Sequence, residues 1–257
     1  GASMNAGNSR PVLTKSQSEL IAYLFDARAT AASHTLAAWI AASPRYAAFA
    51  EKYKDKIRKK LRVTRDPSAA VDLLYELQIG YWLLQEKRFE VTYEPYAAGK
   101  TRGPDYAVAF RANFLFHIEV THMRGSHPAP DSTTPDGNSI NQRLIDVVCA
   151  KLGQMRPNQA NLLCIVSTPA VLGALHLPAH IAWIKDKAEH GDPAFYARHR
   201  FLNAADFFKY FERLSGMILD DPTGEHASIF WQNPQARVKL LEPVRNILQR
   251  GFSLAQE

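Results

Sequence analysis

Asp105 and Glu119 are the residues whose types and spacing best suit chemistry, within 103-GPDYAVAFRANFLFHIEVTH-122. Each is attached to an apolar segment that alternates as a strand does. Residues 105–110 and 114–121 read as antiparallel strands joined by a short turn through Arg111-Ala112-Asn113. That hairpin brings Asp105, at the start of one strand, close to Glu119, near the end of the next. Residues two apart on a strand share a face, so His117, Glu119 and Thr121 point the same way. Two carboxylates with the Val120 carbonyl between them make an oxygen-rich site for Mg2+ or Mn2+. Such an ion orients a water, lowers its pKa and stabilises charge on a phosphoryl oxygen. The same spacing also fits two strand-edge acids held in salt bridges.

Other motifs fail on spacing. Gly99-Lys100-Thr101 imitates the end of a phosphate-binding loop, but Glu94 stands where that motif needs its first glycine, and Pro104 and a strand follow instead of a helix. His117, His122 and His127 are five residues apart, which puts His117 and His122 on opposite faces of a strand and argues against zinc. Cys149 and Cys164 sit in separate apolar segments and read as buried, reduced core residues.

The elements that must position the two acids follow from periodicity and punctuation. Residues 16–43 read as one helix, 44–62 as a second opening on Pro44, and 68–87 as a third, with Leu73, Leu77, Tyr81 and Leu84 at helical spacing. Strands follow at 89–96, 105–110 and 114–121, then a long loop at 123–138 and a helix at 139–155. The apolar run 161-NLLCIVST-168 suits a strand buried on both faces. The tail reads as helices near 177–189 and 203–213, strands near 215–220 and 227–232, and a last helix near 242–250. Asn233-Pro234 reads as a structural corner, and one of Phe230 and Trp231 is expected to face the core. The class is α/β, with the strand after the crossover helix parallel to a neighbour.

The run from Glu76 to Thr121 resembles the PD-(D/E)xK nuclease superfamily, the fold of restriction endonucleases. The resemblance implies a restriction-endonuclease-like core of helix, three-strand meander, helix and strand over residues 68–168. N-terminal helices over 11–67 and a C-terminal αββα elaboration over 169–257 would be packed onto it. The family's proline-aspartate matches Pro104-Asp105, its (D/E)xK strand matches Glu119-Val120-Thr121, and its helix acid matches Glu76. Asp105, Glu119 and Glu76 are then the expected catalytic metal ligands, and Mg2+ or Mn2+ the cofactor. The departure is Thr121, where the family carries lysine; a hydroxyl cannot supply that cation. Some members place the basic group on the helix after the third strand, where Lys151 lies, with Gln154 on a neighbouring face and Arg143 and His122 as weaker substitutes. As an ordinary exposed helix residue, Lys151 would cost little stability to replace.

Charge adds to this. The chain carries a formal +6, and 51-EKYKDKIRKKLRVTR-65, with eight basic and two acidic residues, accounts for all of it. Lys52, Lys56, Arg58, Lys59, Lys60 and Arg62 are the expected contacts to a nucleic-acid backbone, DNA first, although a solvated helix face has the same composition. With 46% hydrophobic and 22% charged residues the chain suits a folded domain without a membrane partner. Gly1-Ala2-Ser3 before Met4 read as a cloning remnant, residues 1–10 as a frayed terminus, and the location as cytoplasmic. Nothing in the pattern points to an oligomeric state. The function expected is metal-dependent phosphodiester hydrolysis. The alternative is an inactive nuclease-fold module that binds nucleic acid or a protein partner.

Overall fold

The computed structural model describes residues 10–64, 66–96, 102–125 and 137–254. Residues 1–9, Gly99-Lys100-Thr101, Arg65 and His127 lie outside the described residues. The chain divides into two compact units, Gly1–Gln85 and Glu86–Glu257.

The first unit is helical: α1 (Lys15–Leu24), α2 (Ala31–Ala42), α3 (Pro44–Lys52), α4 (Lys54–Val63) and α5 (Pro67–Leu83). Two of the helices expected from sequence are each broken in two. Asp26 and Ala27 take φ of 51° and 58°, which stops α1. Thr30 then starts α2 through a capping box with Ser33. Tyr53, buried, ends α3 and opens α4 with φ −107° and ψ 16°. The breaks let short helices wrap an aromatic core. Trp39 stacks on Tyr81 at 5.7 Å between centroids, and Tyr46 meets Tyr81 edge-on at 5.4 Å. The Tyr46 hydroxyl, fully buried, donates to the Leu77 carbonyl at 3.2 Å, so its polar tip is satisfied.

The second unit is built on one six-stranded mixed sheet in the order β1-β2-β3-β4-β5-β6. Its strands are β1 (Phe89–Tyr93), β2 (Tyr106–Phe110), β3 (Phe114–His122), β4 (Ala160–Val166), β5 (Leu214–Asp220) and β6 (Ile229–Gln232). β1, β2 and β3 form an antiparallel meander, β3–β4 and β4–β5 are parallel, and β6 returns antiparallel. A parallel pair needs a crossover, and α6 (Gly137–Leu152) supplies the one between β3 and β4. Four helices cross between β4 and β5: α7 (Pro169–Ala174), α8 (Leu177–Glu189), α9 (Pro193–His199) and α10 (Ala204–Phe211); α11 (Glu242–Leu254) closes the chain.

The meander, helix and parallel strand expected from sequence are present, so the class is α/β. In the tail, β5 and β6 continue the same sheet. The short helices α7 and α9 escaped periodicity, although each opens on a capped X-Pro, Thr168-Pro169 and Asp192-Pro193. Leu144, Val148, Leu172, Ile184, Phe207 and Phe211 from the helices join Leu163, Ile165, Met217 and Leu219 of the sheet in one apolar cluster. Glu119 pairs in register with Leu163 and therefore projects from that helix-covered face. Cys149 and Cys164 are buried and free, as expected. Among the described residues no helix is long and apolar enough to cross a membrane.

At Gly216, β5 and β6 leave no room for a side chain: a Cβ there would lie 2.7 Å from the Trp231 carbonyl oxygen. Gly216→Ala should therefore force the two backbones apart and destabilise the protein by about 1–3 kcal/mol. Urea unfolding followed by circular dichroism measures it; an unchanged midpoint would show that the strands yield freely.

Candidate active site

Glu119 lies in the middle of the sheet because β3 is paired on both sides, to β2 and to β4. It is 5% exposed. A carboxylate buried this far needs a partner, and α6 brings one. That helix runs back along the face, and β4 starts at Ala160 opposite Phe116, so the last turn of α6 overlies the middle of β3. Lys151, in that turn, places Nζ 2.6 Å from Glu119 Oε1. Its side chain is only 12% exposed. The expectation that Lys151 is an ordinary exposed residue, replaceable at little cost, is thereby corrected: the Glu119 carboxylate holds it over the sheet. Arg102 is a looser second cation, 3.9 Å from the same oxygen.

Asp105 stands one residue before β2, whose last pair with β3 is Tyr106–Ile118. Continued by one step, that register sets Asp105 opposite Glu119. Asp105 is 7% exposed, and its Oδ2 accepts the Val120 N–H at 2.7 Å. Its carbonyl accepts the Glu94 N–H, also at 2.7 Å. The aspartate thus takes over as a hydrogen-bond partner of β3 where β2 leaves the ladder. Thr121 follows Glu119 on the same face, half-buried, while His122 ends β3 on the other face.

Glu76 lies in the first unit, on α5, where its Oε2 pairs with Lys60 Nζ at 2.9 Å. Asp105 and Glu119 are hard oxygen donors at opposed register positions, a donor set that suits Mg2+ or Mn2+. Among the described residues, no group of three or more His, Cys, Asp or Glu side chains is poised to hold a metal. Carbonyls and water would have to complete any coordination shell.

Beside Glu119 opens a small cleft of about 260 Å³, counting its mouth, lined by Pro104, His117, Gln154, Arg156 and Asn161 among others. Of the substitutes considered for the missing cation, Gln154 lines this cleft and Arg143 donates to the Arg124 carbonyl instead. His117 is 1% exposed and its Nε2 bonds the Tyr96 hydroxyl at 3.0 Å. Burial, and next the charge of Arg156, hold the imidazole down to about 4, so it is neutral at pH 7. Asn161, in the first turn of β4, donates its side-chain amide to the carbonyls of Arg156 (2.8 Å), Gln159 (3.2 Å) and Arg213 (2.9 Å). Its signal was present: a lone polar residue opening a strand buried on both faces.

Asp220 was also not singled out. It ends β5, 7% exposed, and accepts the Ser228 hydroxyl at 2.9 Å. Burial pushes its carboxyl up to about 6, Asp221 adds to this, and the Ser228 bond opposes it.

The basic strip is partly neutralised by its fold. Arg58 and Arg62 close on Asp26 at 2.8 and 2.9 Å. The bonds from Arg62 and then Arg58 hold the Asp26 carboxyl down to about 2. With Glu76 on Lys60, two acids from outside the segment lower its local charge from +6 to +4. Lys52 and Lys56 lie over the Tyr53 ring at 5.3 and 5.6 Å, and Lys59 is exposed. Compared with protein-family models, curated proteins and solved structures, the chain matches none.

Two outcomes are expected. Lys151→Met should cost about 3–5 kcal/mol, because it leaves Glu119 buried without its partner. Adding Glu119→Gln should recover part of the loss, giving a coupling of about 1–3 kcal/mol in a thermodynamic cycle. Strict additivity would show the two side chains to be independent. The second outcome concerns pH. Asp220 has a folded pKa raised above the ordinary 3.8, so its contribution to stability is full below about 3.8 and is lost as pH rises through about 6. The melting temperature of the parent relative to Asp220→Asn should therefore fall between pH 4 and 7. A constant difference would place the Asp220 carboxyl in a solvated setting.

Proposed function

We propose that the protein hydrolyses phosphodiester bonds in nucleic acid, with Asp105 and Glu119 holding a divalent cation. The observation that carries this reading is the 2.6 Å contact between Lys151 and Glu119. A lysine from the crossover helix meets the acid of the Glu119-Val120-Thr121 strand, on the face where the related motif would present its own lysine. When bound, Mg2+ or Mn2+ would supply charge at the phosphoryl oxygens and a lowered pKa for water. The chain's residues do the rest. Lys151 offsets negative charge that grows as the phosphate is attacked. The buried Glu119 carboxylate holds that ammonium in place before substrate arrives, which saves reorganisation during reaction. Asp105 ties its carboxylate to the Val120 N–H and so fixes the part of β3 that carries Glu119. In the first unit, Lys52 at the end of α3 and Lys56, Lys59 and Lys60 on α4 would hold a nucleic-acid backbone.

A second reading has its own support. An inactive nuclease-fold module that binds nucleic acid or a protein needs no third acid, and the described residues bring together no group of three metal-ligating side chains.

The test is cleavage of single- and double-stranded oligonucleotides with Mg2+ or Mn2+, alongside thermal-shift titration of each ion. Activity is expected, with Lys151→Met slower by about 10²-fold or more at a temperature where it remains folded. Thr121→Lys in that variant should return part of the rate. A parent that binds neither ion and cleaves nothing would sink the hydrolase reading.

A further inference from the structure

Arg156 is the one cation lining the Glu119 cleft that holds no acid among the described residues. It follows α6 by four residues and turns its side chain onto Tyr96, with Cζ 3.5 Å from the ring centroid. That contact satisfies one face of the guanidinium and leaves the in-plane N–H donors unoccupied by the described residues. Lys151, by contrast, is already taken by Glu119.

The support beneath Arg156 is built from buried groups. Its carbonyl accepts from the Asn161 amide at 2.8 Å, and the neighbouring Met155 carbonyl accepts from Arg213 at 3.2 Å. Tyr96 is fixed in turn by its 3.0 Å bond to the buried His117. Backbone and side chain are therefore both held before any ligand arrives, which lowers the ordering cost of binding. A guanidinium clamped in this way, with its fork of donors open beside a carboxylate-bearing cleft, matches a phosphate better than a point charge would.

We infer that Arg156 forms an anion subsite that grips a nucleic-acid backbone phosphate neighbouring the one at Glu119. The inference rests on the hydrolase reading for its choice of ligand. Tyr96 acts as a positioning residue, supplying the ring on which the guanidinium lies.

The experiment is fluorescence anisotropy of a labelled single-stranded oligodeoxynucleotide in EDTA, so that binding is read without metal and without cleavage. Arg156→Gln should weaken binding about tenfold and reduce the slope of log K against log salt by about 0.7, one single-strand phosphate contact. Arg156→Lys should keep most of the slope while losing affinity. Tyr96→Leu should weaken binding like Arg156→Gln, whereas Tyr96→Phe, which keeps the ring but loses the bond to His117, should weaken it less. Among the described residues the Arg156 side chain donates to nothing, so both of its variants are expected to melt within a few degrees of the parent. Parental affinity and slope in Arg156→Gln would overturn the subsite, as would a parent that does not bind the oligonucleotide. A parent that binds through Arg156 but cleaves with neither ion would keep the subsite and remove the hydrolase reading.

Discussion

The parallel pairing of β3 with β4 is the constraint on which the site depends. Because the two strands run the same way, the chain must return over one face before β4 begins, and α6 is that return. The register, Phe116 against Ala160, sets how far back the helix must reach. It must end above the middle of β3, so a cation in its last turn meets an acid in the strand. Lys151 and Glu119 are 32 positions apart in sequence and 2.6 Å apart in space for that reason. An antiparallel connection by a tight turn would have left Glu119 buried without the Lys151 ammonium.

Several elements were legible because their signals are local. Alternation in 114-FLFHIEVT-121 and the unbroken apolar run of β4 marked strands that the structure retains nearly to the residue. The crossover helix expected over 139–155 is present as α6. The pairing order was legible only in part: a meander can be inferred from short turns, but nothing local to β5 and β6 states that they join the same sheet. Helix boundaries in the first unit were lost to two backbone events. Positive φ at Asp26 and Ala27, and the kink at Tyr53, sit inside stretches whose composition is helical throughout. There the aromatic core overrides propensity.

For the site, the acids could be read from type and spacing, and Lys151 from its place on the helix after β3. Its depth could not. Whether a lysine snorkels or is held depends on a strand far away in sequence. Arg156 and Tyr96 were invisible for the same reason, since their roles exist only once the loop before β4 is laid against β3. The basic strip shows the converse. Its composition suggested a surface of uniform charge, yet Asp26 and Glu76, outside the segment, claim three of its cations. Net charge of a segment is a property of sequence, while available charge is a property of the fold.

Asn161 carries a mechanical implication. Its single side-chain amide holds three carbonyls, two from the turn before β4 and one from the turn before β5, while its own N–H donates to Ser215 at 3.0 Å. Ser215 passes the tie on to the Val238 carbonyl at 2.7 Å. Turns that are distant in sequence are thereby stitched to one buried point. The turn carrying Arg156 cannot peel away as an independent surface loop, because releasing it strips acceptors from an amide at the centre of the sheet. Its opening should share the cooperativity of β4 and β5, so that its amide protons exchange with those of the sheet rather than with the surface.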